Sequence, residues 1–163
     1  MSQDTLATST GILRFLFDFN HQAITRNLKD FTHEESLIVP AGGANPANFV
    51  LGHILNNRSF ILELVGEQPL WNAADGEPYE SGSKGLDPAQ ARLFDSLLED
   101  LEKTQERLRR GLENMPPERL DALHAENAKR PRGAQLHFMA FHEGYHAGQL
   151  GLLRRIVGKP GAI

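Results

Sequence analysis

Apolar residues return at helical spacing along four stretches of the chain, and glycine, proline and polar residues separate those stretches. From about Leu6 to Phe31, the positions Leu13, Leu16, Phe17, Ile24, Leu28 and Phe31 fall at steps that add up to whole helical turns, so they share one face of a first helix. A second stripe, Val50, Ile54, Ile61 and Leu64, runs to Gly66. Before it, Asn45-Pro46 reads as an N-cap followed by proline in the first turn. For the third helix, Asp87-Pro88-Ala89-Gln90 predicts a capped start with Gln90 completing a capping box. Phe94, Leu97, Leu98, Leu101, Leu108 and Leu112 form its stripe, and Met115-Pro116-Pro117 stops it. The last stretch, about Ala134 to Val157, puts Met139, His142, His146, Gln149, Leu150, Leu153 and Ile156 on one broad face. Arg154 and Arg155 occupy its final turn, before Gly158 and Pro160.

No stretch alternates as a strand would. The pattern predicts an all-α fold, a four-helix bundle with long connections between helices two and three (Gly66 to Leu86) and between three and four (Pro116 to Arg132). With 163 residues, of which 40% are hydrophobic, there is material for one substantial core, and a single domain over 1–163 is expected.

Composition narrows the chemistry. The chain has no cysteine, so a transition-metal site would have to use His, Asp and Glu, and any sulfur nucleophile would have to come from another molecule. A net charge of −4 with scattered Lys and Arg gives no footprint for nucleic acid or an anionic membrane. The Met1 to Gly11 stretch lacks a basic start and a long apolar core, and no run is long enough for a membrane span. A soluble, cytoplasmic protein is therefore expected.

Against that background the run His142-Glu143-Gly144-Tyr145-His146-Ala147-Gly148-Gln149 carries the most information. Four residues advance a helix by about 400°, so both imidazoles leave one face a turn apart and can share one ion. His53, on the stripe of the second helix, supplies a third imidazole. His21 lies between Phe17 and Ile24 and fits core packing, a fourth ligand, a donor to a ligand ring or a catalytic base. Asn57, one turn past His53, could orient a ligand or bond a neighbouring helix. His137 faces elsewhere and is expected in solvent, while His33 and His124 fall in connections and read as surface residues.

The same run spells His-Glu-x-x-His, the zinc-protease pattern, but no His, Asp or Glu follows His146 to complete such a site. Glu143 reads as a solvated helix residue, with general base or acceptor for a ligand ring as the alternatives.

Leu51-Gly52-His53-Ile54 in the second helix and His142-x-x-x-His146-x-x-Gln149 in the last resemble the DinB-like superfamily, which includes the YfiT-type proteins. The resemblance spans the whole chain. It implies a divalent ion, zinc or nickel, on His53, His142 and His146, and a homodimer. It also implies a transferase using a low-molecular-weight thiol, with a metal-dependent hydrolase or a non-catalytic metal-stabilised binding module as the alternatives. The substrate is a small molecule, and no nucleic acid or membrane partner is implied.

Overall fold

The computed structural model describes residues 9–82, 86–125 and 128–163, and every regular element among them is helical. The α-helices in chain order are α1 (Ser9–Leu28), α2 (His33–Ser36), α3 (Ala47–Val65), α4 (Ala73–Gly76), α5 (Phe94–Glu113) and α6 (Arg132–Ile156), with short 3-10 turns in the connections. The four long helices α1, α3, α5 and α6 form the bundle, with α1 packed on α5 and α6, and α3 packed on the same two.

The predicted stripes of α1, α3 and α5 are largely the buried faces, although Leu16 is exposed; α6 buries a rotated face through Leu136, Ala140, Glu143, Ala147 and Leu150 and leaves Ile156 exposed. Leu13, Phe17, Ile24 and Leu28 of α1, and Phe94, Leu97, Leu101, Leu108 and Leu112 of α5, are all buried. Helix α3 is buried around most of its circumference, leaving Asn56, Asn57 and Phe60 partly open and Glu63 exposed, as befits a helix with neighbours on several sides. One neighbour is the long connection after it, for which the sequence pattern predicts no regular element. Instead it folds into α4, held by a reciprocal capping box between Asn72 and Asp75, and a 3-10 turn at Glu77–Tyr79. Trp71 and Tyr79 bury this segment against α3. The Trp71 N–H donates to Ser59 Oγ at 3.1 Å, and its indole Nε1 donates to Asp100 Oδ2 at 2.8 Å.

Several boundaries differ from the sequence pattern. The expected start of the first helix at Leu6 lies outside the described residues; its end falls at Leu28, short of Phe31, because Asp30 takes a left-handed φ of 64°. The N-cap of α3 is Pro46, with no side-chain cap, so Asn45 does not cap it. At Asp87 a cap does form, but on Ala89 N–H, and it opens only a 3-10 turn (Pro88–Gln90); no capping box with Gln90 results, and α5 begins at Phe94. Tertiary hydrogen bonds hold the intervening residues extended. Arg92 N–H donates to Tyr79 Oη at 2.8 Å, Asn48 Nδ2 donates to Arg92 O at 3.0 Å, and Phe94 N–H donates to His33 Nδ1 at 3.3 Å. His33, expected as a surface residue, thus serves the start of α5.

The core is in two parts. One cluster holds Ile24 and Leu28 of α1, Leu51, Ile54 and Leu55 of α3, Leu97 and Leu101 of α5, and Leu150 and Leu153 of α6. The other holds Leu13 and Phe17, Ile61 and Leu62, Leu108 and Leu112, and Leu136 and Ala140 of the same four helices.

Candidate metal centre

His53 is carried by α3, His142 and His146 by α6, and the packing of these helices brings the three rings together. His142 Nε2 lies 3.1 Å from His146 Nε2 and 3.5 Å from His53 Nε2. A tetrahedral ion with nitrogen ligands at 2.0–2.1 Å sets those nitrogens about 3.3 Å apart, so the spacing fits. Among the described residues, these three form the cluster whose ligand atoms all lie within 4.8 Å of one another.

The far side of two rings fixes the tautomer. His53 Nδ1 is 2.8 Å from the Tyr79 carbonyl, which can only accept, so Nδ1 carries the proton and Nε2 keeps its lone pair. Asn57 Nδ2 agrees with this assignment, since it approaches that same Nε2 at 3.1 Å while also donating to His53 O at 2.8 Å. On α6, His146 Nδ1 donates to Gln149 Oε1 at 2.6 Å, and the Gln149 amide is itself directed by donation from its Nε2 to Tyr145 Oη at 3.3 Å. An aromatic ring flanks each imidazole: Phe49 beside His53, Phe138 beside His142 and Tyr145 beside His146.

Burial favours the neutral form of the two α6 imidazoles. It pushes His146 down to about 4, against the opposing pull of the Gln149 hydrogen bond. His142 is likewise held below the ordinary imidazole range, first by burial and then by His53. His53 is almost fully buried, whereas the other two are half-buried, so the open side of the cluster is on α6.

Comparison with known proteins shows the family. The family model described as the DinB superfamily matches residues 16–150, a span holding all three histidines and most of the bundle. The chain belongs to the DinB superfamily. A solved structure, that of a conserved protein from Enterococcus faecalis, matches this DinB-superfamily chain with a TM-score of 0.71 over 92% of its length and 97% of the other, at 18% identity, which shows a shared fold. No curated protein matches the sequence. Among the described residues, no helix of this DinB-superfamily protein is long and apolar enough to cross a membrane.

The remaining candidates lie elsewhere. Glu143 is not solvated: it is 2% exposed, and both its oxygens accept from Arg58, Oε1 from Nη2 at 2.8 Å and Oε2 from Nε at 2.9 Å. His21 does not join the three histidines; its Nε2 faces Glu102 Oε1 at 3.2 Å, its Nδ1 is buried without a partner, and burial lowers its pKa. His137 is exposed as expected and bonds Gly133 O of its own helix. His124 is half-buried, edge-on to Phe60 and bonded to Gln135.

Tyr79 and Arg58 had no assigned role in the sequence pattern. Gly52 is what lets Tyr79 in: a Cβ there would stand 2.2 Å from Tyr79 Cδ1. The adjacent Gly52-His53 therefore combines a candidate ligand with the clearance its hydrogen-bond acceptor needs.

Proposed function

We propose that this protein is an enzyme that binds one divalent ion through His53, His142 and His146 and joins a low-molecular-weight thiol to an electrophilic carbon. The supporting observation is the donor set, three convergent imidazole nitrogens with no acid among them. An ion held there, zinc or nickel by its imidazole ligands, would keep its double charge and acidify a thiol or water reaching an open position.

The chain's own groups suit a thiol better than water. A thiol starts near a pKa of about 8.5, against about 15.7 for water, so it needs far less help to ionise. The acid that would serve hydrolysis as a base, Glu143, is occupied by Arg58 on both oxygens. In the transfer, the thiol proton leaves to solvent, the sulfur lone pair forms the new C–S bond, and the leaving group departs with the electron pair of the bond it breaks. Asn57 Nδ2, beside His53 Nε2, is placed to donate to the sulfur or to the leaving group.

Cobalt-substituted protein tests this reading. Glutathione, bacillithiol or mycothiol should add an intense sulfur-to-cobalt charge-transfer band. Thiol consumption with the model electrophile chlorodinitrobenzene should then depend on metal and vanish in His142→Ala. If all three thiols leave the cobalt spectrum unchanged, the transferase reading fails and metal-dependent hydrolysis takes its place.

We propose further that the protein is a homodimer, as its resemblance to the family implies. Phe19 and Leu152 are exposed along a groove between α1 and α6 in which Gly148 faces open space and leaves the backbone accessible to close approach. Light scattering should give twice the chain mass, and Leu152→Lys should return it to the monomer.

A further inference from the structure

Each long helix carries a buried polar side chain where its apolar stripe crosses the middle of the bundle. These are His21 between Phe17 and Ile24, Arg58 between Ile54 and Ile61, Thr104 between Leu101 and Leu108, and Glu143 between Ala140 and Ala147. They separate the two apolar clusters, so the core is interrupted by one polar layer. Arg58 is its centre. Besides the two bonds to Glu143 on α6, its Nη1 donates to Leu101 O at 3.1 Å and to Thr104 Oγ1 at 3.2 Å on α5, and the side chain is 0% exposed.

Such a layer is not explained by stability. The desolvation of two buried charges largely offsets their attraction, and apolar side chains of similar volume often serve a fold as well or better. What a directional, two-bond contact specifies is register, as single polar layers do in coiled coils. Here register has a chemical consequence, because both partners stand beside ligands: Arg58 is five residues past His53 on α3, and Glu143 directly follows His142 on α6. A slip of one residue moves a helix about 1.5 Å along its axis, nearly half the spacing that nitrogens around one ion require.

We infer that the buried Arg58–Glu143 pair, tied to α5 through Thr104, is the register key of the metal centre. Arg58 and Glu143 are positioning residues: they hold α3 against α6 at the height where His53 Nε2 meets His142 and His146. This role goes to the glutamate of a His-Glu-x-x-His run, which in a zinc protease would instead be a base.

The inference rests on the metal-site reading, and one series of measurements separates the two. Cobalt affinity and the cobalt d–d spectrum are compared for wild type, the apolar pair Arg58→Met/Glu143→Leu, and Thr104→Val, with melting followed by circular dichroism. The expected result is an apolar pair that melts cooperatively near or above wild type yet holds cobalt at least tenfold more weakly, with an altered d–d spectrum. Thr104→Val, which removes one acceptor of Arg58 at nearly constant volume, is expected to weaken cobalt about threefold with a smaller spectral change; it decides the matter if the double variant does not fold. Wild-type affinity and spectrum in a folded variant would overturn the positioning role, while a wild type that binds no cobalt would overturn the metal-site reading itself.

Discussion

Gly52 gives the ring of Tyr79 its place against α3: a Cβ at position 52 would meet Tyr79 Cδ1 at 2.2 Å and Cε1 at 2.3 Å. That ring cannot easily move aside, since Tyr79 is fully buried and its hydroxyl donates to Asn48 Oδ1 and accepts from Arg92 N–H. Gly52→Ala is therefore expected to cost about 1–3 kcal/mol by overpacking. It should also weaken metal about 10- to 100-fold, because the Tyr79 carbonyl that orients His53 is displaced. Denaturant melts and competitive metal titration on the same preparation check both halves. Unchanged metal affinity would show that the carbonyl does not orient the ring.

Gln149 does for His146 what Tyr79 does for His53. Gln149→Leu should lose about 10- to 100-fold in metal affinity while the metal-free protein melts close to wild type, since Gln149 is only half-buried. Gln149→Glu keeps an acceptor opposite Nδ1 and should restore much of the loss. Equal affinities in the two variants would argue against a hydrogen-bond role.

Both the bundle and the three histidines that cluster in it could be read from the sequence, for physical reasons that also explain what was missed. Amphipathic periodicity survives in any helix that buries one face, which is why most of the stripes of α1 and α5 mark the buried sides; on α6 the buried face runs instead through Leu136, Ala140, Glu143, Ala147 and Leu150, because the histidine face is only half covered. A His pair four residues apart is a local geometric fact, and His53 lies on a stripe. By contrast, what Glu143 meets depends on which helix lies opposite, and spacing alone made it look solvated. A signal existed: the polar interruptions at His21, Arg58, Thr104 and Glu143 come at matching depths in four stripes. The start of α5 was misplaced because Tyr79, Asn48 and His33, remote in sequence, hold the residues before Phe94 out of the helix.

The Arg58–Glu143 pair should be costly to halve. Glu143→Ala leaves a guanidinium buried at 0% exposure without its carboxylate, and a loss of about 3–5 kcal/mol is expected. Equilibrium unfolding in urea measures it. A loss below about 1 kcal/mol would mean that water or another acid reaches Arg58.

Acid should destabilise the metal-free protein in a defined window. His146 is pushed down to about 4 in the folded chain, against about 6.5 for an imidazole in the unfolded one. The unfolded state therefore takes up the proton first. The stability present above about pH 6.5 is lost as pH falls towards about 4, and the lowered pKa of His142 acts in the same direction. Melting temperatures from pH 7.5 to 4 should show a slope that His146→Ala reduces, and a slope unchanged in that variant would contradict the assignment.

The metal centre itself is tested most directly by combining elemental analysis with X-ray absorption at the edge of the bound metal. One ion per chain with three imidazole nitrogens at about 2.0–2.2 Å is expected for wild type, and none for the His53→Ala/His142→Ala/His146→Ala triple variant. A folded triple variant that retains one equivalent of metal, or a wild-type spectrum without imidazole scattering, would contradict it.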